Sequence, residues 1–414
     1  MNDNNTTYID SPLGKIPDDW EVKSLGELCK IFVGRDLKES NFSTTKSDKY
    51  KHPVFSNTVQ FEGLYGYYDI EEYSGESLTI VGRGAGLGKA FTRTGSYGAI
   101  GRLLVLFPLK NVNAHYITEY VNNKLNIHQE SGGIPQLTGE QIAGYKIAVP
   151  NYPEQKAISN ILGLMDTAIN KNNSLITQKE LQKKWLMQNL LTGKKRLLND
   201  EWITIKLGDV FEIVKSYSIS REGLTKSYKE NLIYCIHYGD IHAFYETDFI
   251  DFSKQKSIPQ ILDEGYISNA KDYLKEGDVI MADASEDYEG VGEVVEVVNL
   301  ENKIAVGGLH TIVLRANSEI IAKIFCGYFF SSETVRNALR KIATGTSVYS
   351  VTKSQIHNLS FIIPNSLREQ SAIAQVLQEA DKEIQLLKAK TEKLREMKKG
   401  LMQVLLTGKK RLQV

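Results

Sequence analysis

Residues 186–197 read LMQNLLTGKKRL and residues 401–412 read LMQVLLTGKKRL, eleven identities in twelve positions at an offset of 215. Self-similarity at a fixed distance marks an internal duplication. At the same offset, Glu154-Gln155 and Ala157-Ile158 match Glu369-Gln370 and Ala372-Ile373, and Leu162, Asp166 and Ile169 match Leu377, Asp381 and Ile384. At offset 214, Leu137-Thr138, Gln141-Ile142 and Pro150-Asn151 match Val351-Thr352, Gln355-Ile356 and Pro364-Asn365. At offset 182, Trp20 and Leu25-Gly26 match Trp202 and Leu207-Gly208. So many matches in one order make the chain a tandem repeat. The first LTGKKRL runs directly into LNDEW at 198–202, and IPDDW at 16–20 reads as what would follow Leu412 in a closed circle. Such cyclic order is expected of a pseudo-two-fold molecule with neighbouring termini.

Outward from the repeated stretch, residues 154–190 and 369–405 place apolar side chains in steps of three and four. Ile158, Leu162, Ile169 and Leu190 share a frame with Ile373, Leu377, Ile384 and Leu405, interrupted in the first copy by Asn172, Lys179 and Lys183. A 3.5-residue period keeps one face apolar and predicts a coiled-coil seam. Neither stretch contains proline, and Gly193 and Gly408 follow as C-caps. At about 1.5 Å per residue, each helix is a rod of about 55 Å. The two seams are expected to bury each other, antiparallel, with a globular head at either side. Lys194-Lys195-Arg196 and Lys409-Lys410-Arg411 suit a helix C-terminus and equally an acidic partner.

The intervening heads carry short β-type runs, such as Leu78–Val81, Leu103–Phe107, Asp278–Met281 and Thr311–Leu314, with a helix expected near 115–124 and another over 320–342. The fold class is therefore α+β, with two domains of mixed β-sheet and short helices separated by two long helices. The expected boundaries are 1–150, 151–198, 199–364 and 365–414. In the first head IVGRGAGLGKAF at 80–91 fits neither a dinucleotide fingerprint nor a P-loop, because Leu87, Lys89 and Arg83 stand where glycines are needed. It reads as a glycine-rich turn, or as a loop whose backbone approaches a ligand and carries Arg83, Lys89 and Arg93 towards phosphates or base edges. Its counterpart, VIMADASEDYEGVGEVV at 279–295, is acidic, and Ser285 and Glu286 there could accept from a base amino group.

Small, amide, basic and aromatic side chains in equivalent loops are what direct DNA readout uses. The candidates are Asn57, Tyr67, Arg83, Lys89, Arg93, Arg102 and Gln136 in the first head, and Ser216, Tyr217, His237, Ser285, His310, Thr346, Ser347 and Tyr349 in the second. For any one tyrosine or histidine a scaffold role is the competing reading. No nucleophile motif, zinc-ligand spacing, H-E-x-x-H or N-P-P-Y tetrapeptide stands out, so no catalytic residue, metal site or cofactor is expected in this chain. Cys29, Cys235 and Cys326 are scattered and odd in number, as free buried thiols in a reducing cytoplasm would be. The polar N-terminus lacks a signal-peptide core and no run is long enough to span a membrane, so a cytoplasmic location is expected. Fifty basic against fifty acidic residues argue against a purely phosphate-gripping protein.

The ordered series Trp20…Leu25-Gly26, glycine turn, Pro150…Glu154-Gln155, heptad helix and LTGKKRL, followed by the same series again, resembles the specificity (S) subunit of type I restriction–modification systems. The likeness covers nearly the whole chain. It implies two target-recognition domains, each reading half of a bipartite asymmetric site in double-stranded DNA. It also implies helical spacers that set the distance between halves and dock two modification subunits. Those subunits would use AdoMet to methylate adenine, while restriction subunits would use ATP and Mg²⁺. Two other readings stay open: a stand-alone DNA methyltransferase or nuclease of unusual type, and a coiled-coil adaptor that binds only protein.

Overall fold

A computed structural model describes residues 7–127, 136–227, 232–245, 248–254, 258–262, 267 and 270–412. The chain packs as two compact units, Met1–Asn173 with Ala389–Val414, and Ser174–Lys388. Each unit is one head together with half of each long helix, so the head and the helix ends share one core.

The long helices run over Tyr152–Leu190 and Leu367–Leu405, thirty-nine residues each. All eight seam residues read from the sequence are buried, from Ile158, Leu162, Ile373 and Leu377 at 0% exposure to Ile169 at 9%. Partners on the two helices rise on one as they fall on the other, which is antiparallel packing. In the first unit Lys398 Nζ lies 2.7 Å from Asp166 and Arg395 reaches Asn173. In the second, Lys179 meets Glu383 and Lys183 lies 2.6 Å from Asp381. Two of the polar interruptions of the seam, Lys179 and Lys183, are thus cross-helix ion pairs. Gly193 (φ +71°) and Gly408 (φ +67°) adopt the left-handed cap conformation, and a Cβ at either would stand 3.3 Å from the ring of a tryptophan, Trp202 and Trp20 respectively.

The other matched residues are joints. The Gln155 amide donates to Pro150 O and accepts from Asn113 N, both at 2.9 Å. Gln370 repeats this with Pro364 O and Ala322 N. Thr138–Gln141 and Thr352–Gln355 each close a capping box on a short helix, Gly139–Gly144 and Lys353–His357. Glu21–Ser24 pairs antiparallel with Lys146–Val149, the strand that leads into the first long helix, and Trp202–Lys206 pairs with Ser360–Pro364 in the same way.

Among the described residues each head has two sheets of four or five strands, beside two-stranded pairs. The first unit's antiparallel sheet has the order Ala90–Arg93, Ser77–Ile80, Leu104–Pro108, Cys29–Val33. The second unit repeats that order as Val294–Val298, Val279–Ala282, Thr311–Ala316, Phe211–Val214, and adds Phe249–Asp251 in parallel at the edge. The second sheet of each unit, which is mixed, holds a matching parallel pair, His52–Phe55 with Ser96–Ala99 and Tyr234–Ile236 with Ala305–Gly307. The first head's helix, Ala114–Lys124, falls where expected. The single helix expected over 320–342 is instead two, Phe325–Ser331 and Glu333–Ile342. Ser332 leaves helical geometry (ψ 145°) and its side chain caps Val335 N, so the hydroxyl that starts the second helix ends the first. All three cysteines are free and buried. Among the described residues no helix is long and apolar enough to cross a membrane.

Candidate nucleic-acid interface

Five chain segments converge at the strand ends of the first unit. Beyond Cys29–Val33, Gly34 N donates to Leu103 O and Arg35 N to Ala99 O, while Gly101 N returns to Arg35 O and Arg102 N to Gly34 O. Ile100 N donates to Phe55 O, which draws in the segment carrying Asn57. Asn57 Oδ1 then accepts from Gly82 N at 2.8 Å and its Nδ2 donates to Gly101 O. Leu137 N donates to Gly82 O, and Arg83 pairs with Gln136. The result brings Arg35, Asn57, Arg83, Arg102 and Gln136 together. Arg35, Arg83, Arg102 and Gln136 are exposed, so the end of this head is cationic. Arg102 sits at φ +66°, a corner that costs a non-glycine residue of order 1 kcal/mol.

The second unit builds the same frame from different residues. Tyr217 N donates to Gly307 O, Gly308 N to Ile236 O, Asp283 N to His310 O and Val351 N to Asp283 O. Ala284–Ser285 pairs with Tyr349–Ser350, in the place of the Arg83–Gln136 bridge. His310 stands at φ +53°, the corner that Arg102 occupies in the first unit. Its Nδ1 lies 3.2 Å from Asp283, and Tyr238 meets it edge-on at 5.2 Å. Burial pushes the Asp283 carboxyl above its usual range, opposed by His310. Tyr349 packs edge-on against the exposed Tyr288 at 5.4 Å, and Glu286 is exposed beside them. One frame therefore presents guanidinium groups in one unit and an imidazole, carboxylates and tyrosines in the other.

Of the residues read from the sequence, Asn57, Arg83, Arg102 and Gln136 meet in one cluster, and His310, Ser216 and Tyr349 lie in the other. Thr346 and Ser347 are exposed on the neighbouring loop. Lys89 is exposed where the glycine turn ends, and Tyr67 is half-buried in the strand Leu64–Tyr68. Four candidates cannot reach a ligand. Arg93 is buried, with Nε donating to Thr79 and its guanidinium 3.6 Å above the Phe55 ring; burial lowers it to about 10. Tyr217 is buried and donates to Asp272. His237 is buried and caps the helix Tyr238–Phe244 by accepting from Gly239 N. Ser285 is buried and accepts from Asp287 N. Arg35 was not among the residues singled out in the sequence; its signal is a basic residue directly after Gly34, the glycine that follows the strand Cys29–Val33. The rest of the loop 132–136, Gly132 to Pro135, lies outside the described residues.

The glycines at 82–88 serve the chain itself. A Cβ at Gly82 would stand 2.8 Å from Arg102 O, one at Gly86 would strike Val59 and one at Gly88 would meet Ile127. Only Gly84 of the four faces open space. Three of the four glycines are thus required by the packing of the turn that carries Arg83, and Gly84 alone leaves its backbone open. Away from the strand ends, His115, Glu119 and Asp166 gather their ligand atoms within 4.8 Å. The cation among them is the chain's own: Lys398 Nζ lies 3.2 Å from Glu119 and 2.7 Å from Asp166.

The type I restriction modification DNA specificity domain matches residues 17–180 and again 199–396. The MjaVIII specificity subunit of Methanocaldococcus jannaschii is 25% identical over 96% of this chain and 94% of its own length. The putative MjaX specificity subunit of the same organism is 22% identical over 97% and 96%. Among solved structures, the type I S subunit from M. genitalium shares the fold with a TM-score of 0.60 at 12% identity, covering 98% of this chain and 97% of that one.

Proposed function

Because the chain belongs to the family of type I restriction–modification specificity subunits, we propose that each unit reads one half of a bipartite site in double-stranded DNA through its strand-end cluster. The observation that carries this is the shared frame: the same five segments and the same left-handed corner hold Arg102 in one unit and His310 in the other. Guanidinium groups favour guanine O6 and N7, whereas carboxylates accept from cytosine N4. The two clusters therefore suit unlike half-sites.

The long helices act as spacer and dock. At about 1.5 Å per residue each is roughly 58 Å long, between one and two turns of duplex. Their exposed apolar side chains, Leu164 and Met397 in the first unit and Leu181, Trp185 and Leu386 in the second, are the surfaces for two modification subunits. The chain carries no chemical step. Methyl transfer to adenine with AdoMet belongs to the modification subunits, and ATP- and Mg²⁺-dependent cleavage to restriction subunits. A four-residue insertion in 170–180 tests the reading. The methylated site should keep both half-sequences and change the unspecified spacer between them; an unchanged spacer refutes it.

A further inference from the structure

Beside the first cluster stands an exposed aromatic tip. Phe61 is 85% exposed, and it and Glu62 are consecutive non-glycine residues in the left-handed region (φ 48° and 54°). Both the exposure of a large aromatic ring and the backbone strain are unfavourable, so something must hold this tip in place. Arg93 does so from beneath. Its Nη2 donates to Glu62 O, its Nε is fixed by Thr79, and its guanidinium is stacked on Phe55. Gly63 closes the loop at φ +88°, with Ser56 N donating to its carbonyl at 2.8 Å; a Cβ there would stand 2.9 Å from Ser56 O. The buried arginine that cannot reach a ligand is thus the anchor of a residue that can.

The tip shares its ridge with the reading cluster. Asn57, at the base of the loop, holds Gly82 N, and Val59 packs onto Gly86 beside Arg83. We propose that Phe61 is a wedge that inserts into the base stack of the half-site read by the first unit. The proposal rests on the DNA-reading function above and adds a residue and a deformation to it. A flat side chain projecting from a rigid tip, flanked by amide and guanidinium groups, is what unstacks a base step. A protein-docking surface would instead need a broad apolar patch. In the second unit the segment after the equivalent strand becomes the helix Tyr238–Phe244, so the wedge belongs to one half-site.

The test uses the chain assembled with its modification subunits, on duplexes of the site that assembly methylates. 2-Aminopurine or pyrrolo-cytosine replaces successive bases other than the target adenine. The wild type should brighten at one step in one half-site only. Phe61→Ala should lose most of that rise and bind DNA about tenfold more weakly, and Phe61→Trp should restore both. Specific binding without any rise, or a full rise with Phe61→Ala, overturns the wedge and leaves the reading intact. Loss of modification-subunit binding by Phe61→Ala, with the rise unchanged, also overturns it and assigns Phe61 to a protein contact. An assembly that binds no sequence specifically overturns the reading itself.

Discussion

Each unit places a tryptophan, a buried glutamate and the arginine of LTGKKRL near the joint between head and helix, and only one of these joints closes. In the first unit Arg411 donates to Glu154 and Asp19 at 2.7–2.8 Å, and Trp20 Nε1 donates to Glu154 at 3.3 Å. In the second, Glu369 is 0% exposed and neither carboxylate oxygen has a partner, nor does Trp202 Nε1. Arg196 is exposed there, lying over the Trp202 ring and bonding Asp200 O. The surrounding joints, Gln155 with Gln370 and Lys398 with Lys183, are alike in both units. Identical sequence therefore does not guarantee identical contact: the same arginine pairs with a buried carboxyl in one copy and leaves it unpartnered in the other.

The largest effect should come from breaking the closed joint. Arg411→Ala strands the Glu154 carboxylate in the core and should cost about 3 kcal/mol. Arg196→Ala should cost under about 0.5 kcal/mol, as surface changes do. Hydrogen exchange of peptides from each unit measures both; equal losses would erase the distinction.

Glu296 separates the units by pH. Its carboxylate accepts from Ile324 N and Gly327 N at the start of the helix Phe325–Ser331, and burial pushes it up to about 7. In the first unit hydroxyls do the comparable work, Thr92 donating to Thr118. A raised carboxyl favours the protonated fold, so its contribution is full below about pH 4.5 and is lost as pH rises through about 7, roughly 3 kcal/mol in all. Denaturation of the second unit between pH 5 and 8 should show this slope and Glu296→Gln should flatten it; a slope that survives the substitution refutes the assignment.

Glu369→Gln gives a smaller effect of the opposite sign. Removing an unpartnered buried carboxyl should stabilise the second unit by about 1 kcal/mol, while Glu154→Gln destabilises the first. Thermal melts followed by unit-specific exchange read both signs, and destabilisation by Glu369→Gln would mean that its carboxylate is partnered.

The duplication, the helices and the α+β heads were legible because they are written in offsets and periods along the chain. The seam frame from Ile158 to Leu405 needed only a 3.5-residue spacing, and the repeated glutamine and capping-box residues stood out by matching. The sites were less legible because their decisive neighbours are distant in sequence. Arg93 looks like a free cation until Phe55 and Thr79 fold over it. Ser285 and His237 look like loop polar groups until local backbone amides claim them. Phe61 carries no sequence signal, since its exposure depends on a tip anchored by Arg93. The break at Ser332 was visible only as a serine before a glutamate, a helix start hidden inside a longer apolar pattern.

In the proposed function one frame presents two unlike readers. Sequencing of methylated DNA from cells that express this chain with its modification subunits tests it most directly, comparing wild type with Arg102→Ala and His310→Ala. The prediction is a bipartite motif in which each substitution relaxes one half and leaves the other unchanged. An undivided motif, or both halves shifting together in either variant, would contradict it.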